Sequence, residues 1–406
     1  MVKYRLICKH CGTDNQQFYQ WFANNQQCFR CGSKHAEAFY NADYKKLREL
    51  YGENPENFWL YFDYLPVENR ENIVTCNEGA IPIEEWDFLE KIALEKYGVN
   101  CKALVYRNDM NGGTNTFKDV AAALAATVFK ENDVPEYCVA STGNTATAYS
   151  KYLALAGVKI TVFVPNDVTE DSVNEIRGYG QNVVVVDGNY AYAKKMAAEF
   201  HEQNKVLMSA GNIDPIRVEA KKTMVFEFMR QLGKMPDVYL QAVSGGTGPI
   251  AIDKGVREIR GTYPEVELPR ILLVQQDLCD PMVQGWENAE SNGFPEGYEK
   301  EYPIIENPKT EVSILSTGNP GMFPVVAPIV KKSGGAFLRV KEAELVDLAK
   351  KVYQERNIHL GPASVVCLLG FFEALKQGKI NDGETVLINT GEGADRARKF
   401  KKTYTE

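Results

Sequence analysis

The sequence predicts an α/β protein with open parallel sheets covered by helices on both faces, preceded by a small cysteine ribbon. Three observations predict it. From Lys102 onward, short apolar runs alternate with amphipathic or alanine-rich stretches of helical length, the pattern of strand–helix units with short connections. Several of those runs end in polar, glycine-rich loops, where open sheets bind ligands. Four N-terminal cysteines stand as two C-x-x-C pairs. With 406 residues the chain exceeds one small core, and two or three structural units are expected.

In chain order the ribbon comes first, over residues 1–40, and residues 41–406 are expected to form the main domain. "CKHC" (Cys8, Cys11) and "CFRC" (Cys28, Cys31) are each followed by a glycine, Gly12 and Gly32. Such knuckles present four thiolates tetrahedrally, and four protein ligands leave no open position. A structural zinc is therefore expected, not a catalytic one. Cys76, Cys101, Cys138, Cys279 and Cys367 are scattered, mostly in apolar runs, and read as core filler.

An aromatic-rich segment follows from Tyr51 to Trp86, where Pro66 in "FDYLPVEN" ends a strand or begins a turn. Then come "KALVYRN", "YCVAS", "KITVFVP", "NVVVVDG" and "KVLMSAG" as buried strands. Phe117–Glu131, Thr145–Ala156, Ser172–Tyr179 and Ala191–Asn204 lie between or beside them as helices. "VYLQAV", "RILLVQQ" and "TVLINTG" resume the strand pattern, and the stretch from Ser291 to Glu306 reads as an insertion loop.

Composition narrows the function. A formal net charge of −8 argues against general nucleic-acid binding, which uses a basic face. There is no apolar run of bilayer length, and "MVKYRLICKH" lacks the apolar stretch of a secretion signal, so no membrane partner and a cytoplasmic location are expected.

Four loops carry the candidate chemistry: "NDMNGGTNTFKD" (Asn108–Asp119), "STGNTATA" (Ser141–Ala148), "SGGTGP" (Ser244–Pro249) and "NTGEGAD" (Asn389–Asp395). "SGGTGP" stands between an apolar run and a helical stretch, and its backbone donors can cradle a phosphate. "STGNT" offers hydroxyls, an amide and backbone donors to a carboxylate. "TFKD" sets Lys118 at a helix start, where the dipole and desolvation favour the neutral, reactive amine. There is no G-x-x-x-x-G-K-[ST] loop, no G-x-G-x-x-G after the first regular strand, and no G-x-S-x-G elbow. A phosphate, an amino-acid carboxylate and a reactive lysine together point to pyridoxal phosphate.

At these residues the chain resembles the fold-type-II pyridoxal-phosphate enzymes, within the threonine synthase group. Thr116-Phe-Lys-Asp119 is similar to that group's "SFKD", and Ser141–Thr145 matches its "STGNT". "GKMPDVYLQAVSGGTGPIA" (Gly233–Ala251), "LPRILLVQQDLCDPMVQGW" (Leu268–Trp286) and "GPASVVCLLGFFEAL" (Gly361–Leu375) are closer in style to the cysteate synthases. "TFKD", "STGNT" and "NTGEG" depart from that branch towards threonine synthase. The resemblance implies two open sheets, a smaller mobile subdomain at about residues 120–209 and a homodimer.

It also implies residue roles. Lys118 would carry the cofactor as a Schiff base and then move the α-proton. Asn144 would bond the cofactor 3′-hydroxyl, and Ser141, Thr142 and Thr145 would hold the substrate carboxylate. Gly245, Gly246, Thr247 and Gly248 would cradle the cofactor phosphate, with Thr390 as neutral partner of the pyridine nitrogen. The implied activity is β-replacement on an O-phosphorylated amino acid by a small nucleophile, in cysteate synthase style with O-phosphoserine and sulfite. The alternative is threonine synthase, acting on O-phosphohomoserine and water, or another replacement reaction of specialised metabolism. Lys221, Lys222, Arg217 and Asn111 flank the loops as donors for the leaving phosphate, although each reads more readily as a solvated surface residue. A non-enzymatic reading, a binding ribbon on a degenerate scaffold, conflicts with the acidic charge and the intact lysine and asparagine loops.

Overall fold

A computed structural model describes residues 2–141, 143–166, 168 and 170–405. It contains two compact units. One comprises Met1–Ala80, Gly112–Thr114 and Lys118–Thr223; the other comprises Ile81–Asn111, Asn115–Phe117 and Met224–Glu406. The strands are β1 Tyr4–Cys8, β2 Ala36–Tyr40, β3 Ile83–Glu85, β4 Lys102–Arg107, β5 Glu136–Ala140 and β6 Lys159–Val164. They continue as β7 Asn182–Val185, β8 Leu207–Met208, β9 Val238–Ala242, β10 Arg270–Gln276, β11 Ala336–Val340 and β12 Thr385–Thr390.

In the first unit β7-β6-β5-β8 form an all-parallel sheet. Successive strand residues face opposite ways, and both faces are covered. Tyr137, Val139, Ile160 and Val162 pack with Phe129, Tyr149 and Leu153 of helices Asp119–Glu131 and Asn144–Leu155. Cys138 and Phe163 pack with Ala193 and Ala197 of helix Tyr190–Asn204. Each large side chain so buried contributes about 1.5–3 kcal/mol. The strand expected at "NVVVVDG" forms, but as an edge: Val184 and Val185 are exposed. An edge strand has one neighbour, and an unbroken valine run does not distinguish that position from a central one.

The ribbon belongs to this unit. β1 and β2 pair antiparallel, and Tyr4, Leu6, Phe18 and Trp21 share one core with Val120–Ala126 and Phe129. Phe22 meets the Phe129 ring edge-on at 5.5 Å. Glu219 ties the ribbon down, accepting from the Ala38 amide at 2.9 Å and the Tyr40 hydroxyl at 2.7 Å. The aromatic segment after it begins as a series of 3-10 turns and reaches its one strand, β3, only after Pro66.

The second unit holds a six-stranded sheet, order β11-β10-β9-β12-β4-β3, parallel except for β3. Leu240, Val274, Val386 and Ile388 pack with helix Pro362–Lys376. Tyr106 and Tyr239 meet Phe228 of helix Thr223–Leu232 at 5.2 and 5.8 Å. Because Tyr239 and Leu240 are adjacent in β9, these helices cover opposite faces.

Candidate active site

The four glycine-rich loops do not share one sheet. Those beginning at Asn108, Ser244 and Asn389 follow β4, β9 and β12, parallel neighbours in the six-stranded sheet, and so emerge at its C-terminal edge. The loop beginning at Ser141 follows β5 in the other sheet. A buried polar chain links the first three. Asn108 donates to Asn389 Oδ1 at 2.6 Å, Asn389 donates to the Tyr239 hydroxyl at 2.6 Å, and Tyr239 donates to Gln241 Oε1 at 2.7 Å.

Gln241 brings that chain to the phosphate-type loop. A Cβ placed on Gly248 would lie 2.1 Å from Gln241 Oε1, and one on Gly246 would lie 2.4 Å from Val326 Cγ2. Gly246 has φ +90° and caps helix Thr247–Arg260, a conformation that favours glycine. The first amides of a helix lack intrahelical acceptors, and Pro249 has none to leave unsatisfied. Gly246, Thr247 and Gly248, expected from the sequence to cradle a phosphate, stand at this helix N-terminus, and the two glycines admit the close packing of Val326 and Gln241. Gly245 adjoins them.

Thr390, at the end of β12, is fully buried. Its hydroxyl lies 2.7 Å from Asp109 Oδ1 and 2.9 Å from the Tyr106 carbonyl. The Asp109 carboxylate is gripped by Arg107, Nε at 2.9 Å from Oδ1 and Nη2 at 2.7 Å from Oδ2. Ser364 fastens the loop beyond Thr390: its Oγ accepts from the Gly391 and Glu392 amides at 3.0 Å each.

In the first unit Lys118 caps helix Asp119–Glu131, its carbonyl accepting from the Ala122 amide at 3.0 Å. Asp119 fixes the preceding glycine turn, accepting from the Thr114 amide at 2.9 Å and its hydroxyl at 2.8 Å. Asn144 and Thr145 open helix Asn144–Leu155, with Asn144 buried and Thr145 half-buried. Ser141 Oγ accepts from the Gly143 amide at 3.4 Å. Thr142 lies outside the described residues.

The four flanking donors are not surface residues. Asn111, Arg217, Lys221 and Lys222 are all buried, a correction to the reading of them as solvated. Asn111 donates to the Thr116 carbonyl at 3.1 Å, and Lys222 is paired with Glu219 at 2.7 Å. Arg217 and Lys221 stand one turn apart on helix Pro215–Lys221. Arg217 Nη2 donates to Ser209 Oγ at 2.7 Å. Burial holds the Lys221 ammonium well below the ordinary lysine value, and the charges of Lys118 and Arg217 push the same way. Burial also pushes the Tyr149 hydroxyl up to about 12, against the pull of Arg217, and pushes the Asp214 carboxyl up. Lys118, Arg217 and Lys221 thus lie within electrostatic reach of one another.

The ribbon sulfurs converge. The Sγ atoms of Cys8, Cys11, Cys28 and Cys31 lie within 4.8 Å of one another, with Cys8–Cys31 and Cys11–Cys28 at 3.6 Å. A tetrahedron with metal–sulfur bonds of ~2.3 Å has edges of ~3.8 Å. Both knuckles close alike, Gly12 donating to the Cys8 carbonyl at 3.0 Å and Gly32 to that of Cys28 at 2.8 Å. Of the other five cysteines, Cys101, Cys138, Cys279 and Cys367 are buried as expected and Cys76 is half-buried.

The profile of the family described as "Pyridoxal-phosphate dependent enzyme" matches residues 74–391. The chain belongs to the pyridoxal-phosphate dependent enzymes. It groups within them with the threonine synthases. It is 29% identical to "Threonine synthase" of Methanocaldococcus jannaschii over 388 residues, covering 91% of this chain and 92% of the relative. It is 28% identical to "Threonine synthase" of Methanosarcina acetivorans over 395 residues, 96% and 91%. Among solved structures, the fold is similar to processed threonine deaminase isoform 2 of Solanum lycopersicum (TM-score 0.61, 16% identity, 90% of this chain and 95% of that one). It is also similar to maize serine racemase (TM-score 0.63, 16%, 90% and 98%). An amino-acid substrate fits this family, and among the described residues no helix is long and apolar enough to cross a membrane.

Sequence reasoning missed Arg107 and Asp109. Their i, i+2 spacing at the end of "VYRND" was the available signal.

Proposed function

We propose that this enzyme is a threonine synthase, converting O-phosphohomoserine and water into threonine and inorganic phosphate. The observation that carries the reading is the near full-length likeness to relatives named threonine synthase, which favours it over the cysteate synthase reading. Bound pyridoxal phosphate would supply an electron sink for carbanions of the amino acid.

The chain's own residues divide the remaining work. The amides around Gly245, Gly246, Thr247 and Gly248 hold the cofactor phosphate, Thr390 meets its ring nitrogen, and Asn144 bonds its 3′-hydroxyl. Lys118 anchors the cofactor and carries the substrate's α-proton. Ser141, Thr142 and Thr145 hold the substrate carboxylate. Arg217 and Lys221, buried and basic, receive the substrate phosphate and keep it as it leaves Cγ. The four ribbon cysteines, by their donor chemistry and tetrahedral spacing, hold a structural zinc.

The test is product analysis with purified holoenzyme. O-Phosphohomoserine should release phosphate and give threonine, and Lys118→Ala should abolish both. Cysteate from O-phosphoserine and sulfite, with O-phosphohomoserine inert, would replace this reading by the β-replacement one, to which the style of Gly233–Ala251 points.

A further inference from the structure

We propose that Asp109 acts through the Thr390 hydroxyl to keep the ring nitrogen of the bound cofactor protonated. The inference rests on the reading that Thr390 meets that nitrogen. It goes beyond the sequence expectation, in which Thr390 is a neutral partner of the pyridine nitrogen.

The argument is a count of hydrogens. A threonine hydroxyl has one proton to give and two lone pairs to offer. Thr390 Oγ1 already faces two acceptors, Asp109 Oδ1 at 2.7 Å and the Tyr106 carbonyl at 2.9 Å. Asp109 is an acceptor at both oxygens: Arg107 forks onto them, with Nη2 at 2.7 Å from Oδ2. Arg107 is itself held by Glu84 through Nη1 at 2.8 Å. Thr390, Asp109 and Arg107 are all buried, where an unmatched polar group is costly.

With its proton committed to Asp109, Thr390 presents only lone pairs to a partner. A bare pyridine nitrogen is also an acceptor. Two acceptors facing one another in a buried site leave both unsatisfied, at about 1–3 kcal/mol. A protonated nitrogen instead donates to Thr390 Oγ1, which donates to Asp109, and each bond in the chain strengthens the next. Asp109 therefore serves as the counter-charge at one remove. It is a positioning residue, and a protonated ring is the stronger electron sink.

The experiment reads the nitrogen and not the turnover. Holoenzyme is loaded with pyridoxal phosphate labelled with ¹⁵N in the ring, and the nitrogen resonance is recorded near neutral pH. The expected result is a protonated nitrogen in the natural protein. In Asp109→Asn the protonated fraction should fall, its titration midpoint moving down by about one pH unit or more, the tenfold change that a lost hydrogen bond to a charged group brings. An unprotonated nitrogen in the natural protein overturns the inference with no variant needed. A resonance that moves in Thr390→Val and not in Asp109→Asn also overturns it. If neither variant moves it, the placement of Thr390 at the nitrogen is what fails.

Discussion

Arg217 stacks its guanidinium on Tyr149, 5.0 Å from the ring centre, and donates from Nε to the Tyr149 hydroxyl at 3.1 Å. A planar cation held on its face and at one edge keeps its remaining N–H groups in a fixed direction. A short, fully buried helix thus holds in one orientation a residue type that ordinarily sits in solvent, as the proposed phosphate contact requires.

Replacing Arg217 by alanine should raise the KM for the phosphorylated substrate roughly 10- to 100-fold, the effect of losing a charge-assisted hydrogen bond worth about 1.5–3 kcal/mol. Cofactor absorbance should persist, because the proposed cofactor contacts do not include Arg217. Steady-state kinetics with O-phosphohomoserine checks this, and an unchanged KM removes Arg217 from the phosphate site.

Lys221 should show a trade between stability and binding. Its folded-state value lies well below the ordinary 10.5, so below that ordinary value the unfolded chain binds a proton that the folded chain lacks. Stability then rises with pH between the depressed folded value and about 10.4. Lys221→Met should remove this slope, raising the melting temperature more at pH 7 than at pH 10 while weakening phosphate-substrate binding. Melting curves across pH decide it; a variant less stable than the natural protein at pH 7 would contradict the account.

Gly246→Ala should lower cofactor affinity about tenfold or more with the fold retained. Alanine at φ +90° is strained, and its Cβ would meet Val326; strained backbone of this kind costs about 1–3 kcal/mol. Equilibrium titration of apoprotein with pyridoxal phosphate measures the change. Equal affinity in the variant would place the cofactor phosphate elsewhere.

Metal removal should act on stability before activity. One zinc per chain is expected by elemental analysis, and chelation or Cys28→Ser should lower the melting temperature of the unit whose core the ribbon shares. A chelator-insensitive melting temperature would mean the four thiols stand without metal.

What the sequence made legible follows range. Strands β4, β5, β6, β9, β10 and β12 were visible because their apolar runs are continuous, as sheets buried on both faces require. β11 escaped because Arg339 interrupts its run, a residue the fold satisfies with Asp280 and with Glu287 at 2.8 Å. The glycine-rich loops were visible as local motifs. The burial of Arg217 and Lys221 was not, since charged side chains are ordinarily exposed and only the packing of a seven-residue helix overrules that. The tie between Asp109 and Thr390 spans 281 positions, and no spacing rule reaches so far.

The bond from Ala38 to Glu219 joins positions 181 residues apart, and this sets a timetable during synthesis. At about 5–20 residues per second, roughly 10–40 s separate the emergence of the ribbon from that of the carboxylate that pins it. Its two knuckles close on neighbours four positions away and can form at once, while Phe18 and Trp21 wait for the helix that covers them. The nascent chain thus carries an uncovered aromatic face until helix Asp119–Glu131 emerges, about a hundred positions later, and the four-sulfur cluster and the β1–β2 pairing are already able to hold that face in shape.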